Sequence, residues 1–481
     1  MPSSDLRDFL QQLEANHELQ KVSTVDWNIE IGTIAELVNE REGPALLFDE
    51  LKDYPPGYRV ACGLISTPRR LALALGLATD LPQVEVVRRL KDLFHALEPI
   101  EPVHVNTGPI TENVMEGKDV DLLRFPAPRW HEQDGGRYLG TGCMVIMKDP
   151  ESQWVNAGTY RVQLHDRNTL GIYISPGHQG RGIRERYWNQ GKPCPVAVVL
   201  GCSPVLWMPS FLALPWGISE YTIAGGLLGK PVKLVSGKQT GLPIPAAAEL
   251  VVEGEIPPMS EEAREEGPFG EWTGYYASNV RKEAVIKVKR VMYRDNPIIL
   301  GSPPLRPPAN DAPVYLIGAA NLWNELEKLG VPDIKGVWQL RPGGRRYFSV
   351  ISIRQRYAGH AKQAAMAAMS GPEGAYHGRF VIVVDDDIDP SNTDDVLWAI
   401  GTRCDPASSI DIIRDCWSTP LDPIIDPEKR SKSHFSNSRA IIVACKPYGW
   451  LKDFPGVIRA SAAQRAAVLK KWKPLFPDEE N

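Results

Sequence analysis

The chain has 481 residues, more than one hydrophobic core usually supports, so its length predicts two or three domains. Hydrophobic residues make up 43% of the sequence and charged residues 23%, a composition that excludes disordered and fibrous chains. A formal net charge of −5 without a block of lysine and arginine argues against nucleic acid or an anionic membrane as partner, so we expect a small-molecule ligand.

The cysteines and the N-terminal residues predict the cellular compartment. Seven cysteines are scattered along the sequence without a Cys-x-x-Cys pair, so we expect reduced, mostly buried thiols. The first twenty residues lack the apolar segment of a signal peptide, and no apolar run approaches the ~20 residues that span a bilayer. We therefore expect a cytoplasmic protein that does not associate with membranes.

Residues 1–110 alternate helical and short extended patterns and predict an N-terminal α/β unit. Leu6, Phe9, Leu10 and Leu13 lie on one face of its first helix. A Pro- and Gly-rich passage over 124–140 is irregular, and we place the boundary of the unit before it, at 110. Four further segments supply its elements: AELV at 35–38, ALLFDEL, a helix over 69–76, and VEVVRRLKDLFHAL.

Residues 111–311 contain short runs rich in Val, Ile, Thr and Tyr between turns, which predicts a barrel or a sandwich. The stretch ALPWGISEYTIAGGLLG interrupts this pattern and predicts a helix lying against the strands. The proline-rich segment at 301–311 should be a loop. The predicted strands are GCMVIM, NAGTYRVQ, LGIYIS, PVAVVLG, KPVKLVSG, AELVVEGEI and AVIKVKRVMYR.

Residues 312–330 predict a linker helix, amphipathic from Val314 to Leu329 and closed by Gly330. In residues 331–481 the runs FSVISI, FVIVVDDDID and AIIVAC alternate with helical segments, which predicts a parallel sheet covered by helices. A last helix around 460–473 is a candidate for packing on a neighbouring subunit.

Two segments offer charged groups for chemistry. Glu266 and Glu271 lie at the two ends of a Gly-Pro-Phe-Gly loop, where one carboxylate can be ionised and the other can donate a proton. The more common alternative is that Glu266 ends an acidic run on a solvated face. Arg161 in NAGTYR (156–161) can bind a phosphate or carboxylate and keep a glutamate ionised, or be an ordinary surface arginine.

Metal ligands have weaker signals. Asn156, His178 and Glu220 would form a mainly oxygen ligand set with one imidazole, suited to magnesium or manganese, although their separation gives no spacing test. The DDDID run at 385–389 follows an apolar strand and could bind a metal, but an exposed turn with helix-capping aspartates is the favoured interpretation. Phosphate-loop and Gly-x-Ser-x-Gly motifs are absent from the sequence.

The order of these motifs resembles the UbiD-type family of prenylated-FMN-dependent decarboxylases, and the resemblance covers most of the chain. Each motif is weak alone, whereas the series is specific. It runs through DLRDFL, LRFPAPRWHEQDGGRY, NAGTYR, SPGHQGRG, SEYTIAGGLLGKP, EGPFGEWTGYY, RYAGHAKQAAMAA and VVDDDID followed by TDDVLWAIGTRCDP.

The resemblance implies an α+β fold: the N-terminal α/β unit, a split β-barrel that binds the cofactor, the linker helix, and a C-terminal α/β domain that mediates oligomerisation. It implies a network of Arg161, Glu266 and Glu271 beside the flavin, and a divalent metal bound by Asn156, His178 and Glu220. Trp154 and the segment 209–212 would supply backbone oxygens to a monovalent cation. The cofactor-binding residues would be Trp154, Asn156, Gly158, Tyr160, Arg161 and Lys362.

The implied reaction is the non-oxidative, reversible decarboxylation of an aromatic, heteroaromatic or α,β-unsaturated acid through a covalent adduct with prenylated FMN. The implied ions are Mn²⁺ or Mg²⁺, together with K⁺, and a flavin prenyltransferase would supply the cofactor. Arg161 would keep Glu266 anionic, while the second carboxylate favours a protonated Glu271 as proton donor. The implied assembly is a homodimer or homohexamer.

Some positions depart from the family pattern or match it loosely. Trp272 adds bulk directly after Glu271 and should narrow the substrate site. Arg306, His434 and Phe435 could face the substrate, but surface or packing roles are equally open. The alternatives to an active decarboxylase are a non-catalytic scaffold subunit of a multi-subunit carboxylase and an FMN reductase, the latter disfavoured because no nicotinamide-binding fingerprint is present.

Overall fold

A computed structural model describes residues 2–212, 214–276, 279–307, 312–344 and 346–475, without the side chain of Ala312. The loop predicted at 301–311 is irregular from residue 302 to 307, and its residues 308–311 lie outside the described residues. Within the described ranges, none of the helices combines the length and the apolar character required to cross a bilayer.

The first helix forms where the sequence predicts it. The Asp5 carboxylate caps it by accepting a hydrogen bond of 2.8 Å from the Arg7 amide, and its four predicted apolar residues are all buried. AELV lies within the second helix. The elements of this region are α1 (Leu6–Ala15), β1 (Leu19–Val22), α2 (Glu30–Glu40), β2 (Ala45–Phe48), β3 (Arg59–Cys62), α3 (Pro68–Ala74) and α4 (Gln83–His95).

The middle of the chain is rich in strands, as predicted. Its elements are β4 (Val103–His104), β5 (Asn113–Glu116), β6 (Arg137–Gly140), β7 (Met144–Lys148), β8 (Val155–Gly158), β9 (Val162–Leu164), β10 (Thr169–Ile172), α5 (Gln179–Asn189), β11 (Cys194–Val199), α6 (Pro204–Trp207), α7 (Glu220–Leu228), β12 (Lys233–Ser236), β13 (Pro243–Pro245), β14 (Leu250–Ile256), β15 (Ala263–Glu266), β16 (Arg281–Tyr293) and β17 (Ile298–Gly301).

A ten-stranded sheet curls into a split barrel and forms the centre of the molecule. Its main path has the order β6-β9-β10-β16-β14-β11-β7-β8, and β5 and β15 pair with β16. The predicted helix in SEYTIAGGLLG is α7. Two strands of this region lie in other sheets: β12 pairs with β4 and β13, and β17 pairs with β3 in the N-terminal sheet β1-β2-β3-β17.

The prediction that NAGTYRVQ forms one strand is wrong. The strand breaks at residues 159–161, because these residues connect β8, at one edge of the curled sheet, to β9, which lies second from the opposite edge. The Thr159 amide therefore donates to the Ser210 carbonyl, at 2.9 Å, instead of to a neighbouring strand. Arg161 lies at this crossing, directly before β9.

The C-terminal region begins with the predicted helix, which ends at Lys328 and is followed by Gly330 in the left-handed conformation at φ +78°. Its elements are α8 (Ala312–Lys328), β18 (Ile334–Gln339), β19 (Phe348–Ile353), α9 (His360–Ser370), α10 (Pro372–Ala375), β20 (Phe380–Asp385), α11 (Thr393–Arg403), α12 (Pro406–Ser409), β21 (Ile410–Trp417), α13 (Pro427–Ser431), β22 (Ser436–Ala444) and α14 (Ala462–Lys471). Single 3-10 turns span Pro109–Thr111, Gly117–Asp119, Leu122–Arg124, Met208–Phe211, Arg341–Gly343, Tyr448–Trp450 and Lys473–Leu475.

The parallel sheet predicted for this region is confirmed for its three central strands, β19, β20 and β22. The two outer strands, β18 and β21, are antiparallel to their neighbours, which the sequence did not indicate. In the DDDID run, Asp385 and Asp387 both accept hydrogen bonds from Arg403, and Asp387 also pairs with Lys446. Cations of the protein thus neutralise these carboxylates. Helix α14 buries none of its residues within this chain, and its packing on a neighbouring subunit stays a prediction.

A buried carboxylate fixes α1 against the barrel. Glu249 is fully buried and accepts two hydrogen bonds from Arg7, each of 2.9 Å. It also accepts from the Arg294 guanidinium at 3.1 Å and from the Ile298 amide at 3.2 Å. Glu249, directly before β14, therefore joins the N-terminal helix to the end of barrel strand β16 and to the start of β17 in the N-terminal sheet.

We predict that Glu249→Gln lowers the free energy of unfolding by about 3 kcal/mol, because two guanidinium groups would lose their buried counter-charge. The midpoint and slope of urea unfolding measure this change. Glu255→Gln is the matched control, since it removes a carboxylate whose partner, Lys289, is half exposed, and should cost about 0–1 kcal/mol. Equal losses in the two variants would contradict the assigned role.

Candidate active site

A cavity of about 390 Å³ lies at the split side of the barrel, a size typical of small-molecule and cofactor sites. Four separate parts of the sequence contribute to its wall. The N-terminal unit contributes residues between Ala35 and Arg70, and the barrel contributes residues between Thr141 and Phe211. The remaining wall consists of the loop 269–272 and the segment 300–305.

Arg161 joins the two predicted glutamates in one network. Its Nε and Nη2 atoms donate to the two carboxylate oxygens of Glu266 at 2.7 and 2.8 Å, which is a bidentate pair. Its Nη1 atom donates to Glu271 Oε1 at 2.8 Å. The Arg161 side chain is 8% exposed and that of Glu266 is 1% exposed, so the alternatives of a surface arginine and a solvated acidic face are wrong.

The local structure explains how the three side chains meet. Glu266 is the last residue of β15, directly opposite Arg281 on β16, so its position is fixed by the sheet. Glu271 lies in the following loop, where its amide donates to the Tyr275 carbonyl at 3.0 Å and its carbonyl accepts from the Gly274 amide at 2.9 Å. The network therefore joins a rigid strand end to a tight turn.

The environment separates the roles of the two carboxylates. Burial raises the pKa of Glu271 above its ordinary value, the charge of Arg161 opposes this rise, and the neighbouring Glu266 adds to it. Glu266 accepts a third hydrogen bond, from the Tyr138 hydroxyl at 3.2 Å. Glu271 lines the cavity, whereas Glu266 does not. Glu271 is thus the carboxyl group that can exchange a proton with a bound ligand.

The structure brings the predicted metal ligands into one neighbourhood. The Asn156 amide nitrogen donates to Glu220 Oε1 at 2.8 Å, and the Ala157 amide donates to Glu220 Oε2 at 2.9 Å. The ring of His178 meets the Tyr160 ring edge to face at 5.7 Å, and the Tyr160 hydroxyl lies 3.5 Å from Asn156 Oδ1.

The donor chemistry of this group fits a divalent cation. Burial raises the pKa of Glu220 to about 7, which indicates a carboxylate placed where a positive charge would compensate for its lost hydration. His178 lies on the cavity wall, so a metal bound here would face a ligand in the cavity. No three His, Cys, Asp or Glu side chains converge as a metal site would require anywhere in the described ranges, and here only His178 and Glu220 are of these types.

Tyr160 and its flanking glycines pack the metal neighbourhood against the network. A Cβ atom at Gly158 would lie 2.4 Å from the Tyr160 hydroxyl, and one at Gly180 would lie 2.7 Å from the same ring. Only glycine therefore leaves room for the tyrosine at both positions. The Gly180 amide donates to the Tyr160 hydroxyl at 3.1 Å.

The remaining predicted residues lie at different distances from the cavity. The ring of Trp154 packs on the ring of Trp216 at 4.7 Å, and the Trp154 carbonyl accepts a hydrogen bond from the Asp149 amide. In the predicted segment 209–212, the Ser210 hydroxyl lies 2.5 Å from the Thr159 hydroxyl. Lys362 lies on α9, paired with Asp411 of β21, and does not line the cavity. Arg306, His434 and Phe435 are also absent from its wall. Trp272 does line it, as expected from its position.

The sequence analysis missed the aromatic and N-terminal walls of the cavity. Tyr173 lies 4.6 Å below the Arg161 guanidinium, and Phe269 lies 5.4 Å from it. Leu46, Ile65 and Arg70 come from the N-terminal unit. Phe269 could have been found, because it lies between the two glutamates in the sequence, whereas no local pattern distinguishes the N-terminal residues from an ordinary core.

Three family models match the chain. They are the N-terminal, Rift-related and C-terminal domains of 3-octaprenyl-4-hydroxybenzoate carboxy-lyase, and they match residues 10–94, 101–307 and 314–444 respectively. The chain is also 35% identical to the pyrrole-2-carboxylic acid decarboxylase of Pseudomonas aeruginosa, over 97% of each chain.

Solved structures agree with this match. The vanillic acid decarboxylase of Sedimentibacter hydroxybenzoicus in its open form has 29% identity and a TM-score of 0.85, with 100% of both chains covered. Its closed form has a TM-score of 0.81, at 29% identity and with 99% of this chain and 100% of that chain covered. An evolved dimeric form of the UbiD-class enzyme HmfF from Pelotomaculum thermopropionicum, in complex with prFMN, has 26% identity and a TM-score of 0.83, covering 98% of this chain and 100% of that chain.

We predict that Glu271 keeps its proton at pH values above its ordinary pKa of 4.5. Because the folded-state pKa is raised, this group stabilises the fold fully below 4.5, and the contribution is lost as the pH rises through the raised value. The carboxyl band in an infrared pH titration measures the protonated form. Glu271→Gln should remove this band, and Glu265→Gln, at an exposed neighbouring position, should not. Identical titrations for the wild-type protein and Glu271→Gln would contradict the prediction.

Proposed function

Because the chain belongs to the UbiD family of carboxy-lyases, we propose that it catalyses the non-oxidative, reversible decarboxylation of an aromatic or heteroaromatic carboxylic acid. The observation that carries the proposal is the network in which Arg161 binds both Glu266 and Glu271 at the wall of a cofactor-sized cavity. The match extends through all three parts of the chain, from residue 10 to residue 444.

The cofactor in this proposal is prenylated FMN, which is bound in one of the related structures. When bound, it supplies an electrophilic ring system that accepts the electron pair left by the departing CO2. Arg161, Tyr160 and His178 line the cavity and would contact it, with Gly158 making room for Tyr160. Asn156, His178 and Glu220 would hold Mn²⁺ or Mg²⁺ against its phosphate, and the backbone near Trp154 and Ser210 would hold K⁺.

In this proposal, side chains of the protein position the carboxylates, deliver the proton and limit the access of water. Arg161 is a fixed cation that holds Glu266 by two hydrogen bonds and Glu271 by one, which positions both carboxylates. Glu271 holds a proton at the cavity wall and delivers it to the carbon that has lost CO2. The rings of Tyr173, Phe269 and Trp272 line the same cavity as this carboxyl and would limit the access of water to it.

The choice among acids is supported by the relative from Pseudomonas aeruginosa. That protein is named for its action on pyrrole-2-carboxylic acid, and it matches this chain from end to end. The cavity of about 390 Å³ has to hold the flavin ring system as well as the acid, which favours a small substrate. We therefore propose a small heteroaromatic acid as the substrate class.

Two alternative functions, a scaffold subunit and an FMN reductase, have less support than the decarboxylase. A scaffold subunit would not need the buried network, whose charged groups cost folding energy and are all present. An FMN reductase would need a nicotinamide site, and the sequence has no fingerprint for one.

The proposal includes a cellular setting. A flavin prenyltransferase would supply the cofactor, and the protein would act in the cytoplasm as a homodimer or homohexamer. The segments 1–110, 111–311, 312–330 and 331–481 would correspond to the N-terminal unit, the barrel, the linker helix and the oligomerisation domain. Lys362 would act near the phosphate only if another conformation or subunit brings it there, since here it pairs with Asp411.

We predict that protein produced together with a flavin prenyltransferase releases CO2 from at least one acid in a panel that includes pyrrole-2-carboxylic acid. Glu271→Gln should lower kcat by about 10²–10⁴-fold, because the proton donor is lost, and should leave the bound flavin unchanged. Product formation and the absorbance spectrum of the bound cofactor are the measurements.

Glu265→Gln is the control for this substitution, since Glu265 is the exposed neighbour of Glu266 in the same strand. It should retain the activity of the wild-type protein. Full activity of Glu271→Gln would refute the role of Glu271, and a wild-type protein that binds only unmodified FMN would refute the proposed function.

We predict that His178→Ala loses the divalent metal and the flavin together, because His178 would be one of the residues that hold the metal and the metal would help to retain the flavin. Metal analysis and flavin absorbance of the purified protein measure both. His95→Ala, an exposed position on α4, should retain both. Retention of the metal in His178→Ala would remove this residue from the ligand set.

A further inference from the structure

Trp272, in the loop that carries Glu271, contacts the C-terminal unit. The ring of Trp272 packs on the ring of Tyr347 at 5.2 Å and meets the ring of His377 nearly perpendicularly at 5.3 Å. A Cβ atom at Gly344 would lie only 3.5 Å from the indole. The Trp272 side chain therefore packs against Gly344, Tyr347 and His377, which all belong to the C-terminal unit.

Two of these contacts belong to the turn between β18 and β19, and this turn contacts residues at or beside the cavity wall in two places. Arg341 in this turn forms an ion pair with Glu42, directly before Gly43 in the cavity wall. Tyr347, at the other end of the turn, holds Trp272, directly after Glu271. The turn thus touches the N-terminal wall and the proton-donor loop at once.

The opposite flank of the Glu271 loop is also fixed. A Cβ atom at Gly270 would lie 3.1 Å from Pro304, and one at Gly274 would lie 2.7 Å from Pro307. Both prolines belong to the stiff segment that leads toward α8. One flank of the loop thus rests on a segment of the barrel, and the flank that contains Trp272 rests on Tyr347, so the position of this second flank depends on where the C-terminal unit lies.

We propose that Trp272 and Tyr347 are positioning residues, which hold the carboxyl group of Glu271 in place only while the C-terminal unit is docked on the barrel. The inference rests on the proposed function, because the position of the Glu271 carboxyl group matters for catalysis only if Glu271 is the proton donor. Glu266 does not share this dependence, since it lies within β15 and is bound by Arg161 and Tyr138 of the barrel. Movement of the C-terminal unit would thus change one carboxylate of the network and leave the other.

Glu271 needs this additional restraint because few contacts within the barrel hold its side chain. Among the described residues, its side chain accepts one hydrogen bond, from Arg161 Nη1, against the three accepted by Glu266. A single hydrogen bond, even a charged one, does not fix a loop side chain alone. The aromatic contacts of Trp272 supply the missing restraint.

The test compares Tyr347→Leu with Tyr347→Phe in the full-length protein loaded with cofactor. Phenylalanine keeps the ring that Trp272 packs on, and leucine removes it. We expect Tyr347→Leu to accelerate amide hydrogen exchange several-fold in the peptide covering 270–276, and to lower kcat by about 10²-fold with little change in KM. Tyr347→Phe should leave both quantities at their wild-type values. Exchange over Phe380–Asp385 serves as the control that the C-terminal sheet stays folded.

Trp272→Phe and Trp272→Leu form a second pair on the other partner of the contact, and they are compared by amide exchange alone because Trp272 also lines the cavity. Leucine should accelerate exchange over 270–276, and phenylalanine should not. Unchanged loop exchange in Tyr347→Leu and Trp272→Leu would overturn the inference. Faster exchange with an unchanged kcat would equally overturn it, because the contact would then restrain the loop without positioning the acid. If the wild-type protein releases no CO2 from any acid, the proposed function fails, while the exchange rates still decide whether the contact restrains the loop.

Discussion

The site depends on one arrangement of charge, the Arg161 guanidinium held between two carboxylates inside the protein. Removing a carboxylate from water is costly unless a counter-charge and hydrogen bonds replace its hydration. Arg161 provides three hydrogen bonds of 2.7 to 2.8 Å to the pair. Burial is the largest single effect on the pKa of Arg161 and lowers it, but the hydrogen bond and charge of Glu266, together with the charge of Glu271, raise this pKa above its ordinary value. Neither carboxylate could occupy its position without this cation.

The topology of the barrel places Arg161 at its split side. The strands β8 and β9 are consecutive in sequence but lie near opposite edges of the curled sheet, so the three residues between them cross the split side. Asn156 precedes this crossing on β8 and Arg161 ends it. One short segment thus reaches the predicted metal ligands at one end and the glutamates at the other, with Tyr160 packed between Gly158 and Gly180.

Much of this could be predicted from the sequence, for physical reasons that differ between elements. The helix α1 follows from its apolar spacing and its Asp5 cap, and the family assignment, which is confirmed, follows from the order of several weak motifs. The break in NAGTYRVQ could not be predicted, because the local residues favour a strand and only the closure of the barrel interrupts it. The antiparallel strand β21 was missed since it leaves Ile412 and Trp417 exposed, so its burial pattern does not alternate as an ordinary strand does.

Contacts distant in sequence decide which glutamate can transfer a proton, and here the structure adds most to the sequence. Both residues flank the same four-residue loop, so the sequence treats them almost alike. Glu266 is 1% exposed, accepts three hydrogen bonds and does not reach the cavity, so a proton taken up there could not be passed to a ligand. Glu271 lies on the cavity wall with one hydrogen bond from Arg161, and burial favours its protonated form. Because the Glu271 side chain accepts one hydrogen bond among the described residues, the position of this proposed proton donor would be fixed from outside the barrel, by Trp272 and the turn between β18 and β19.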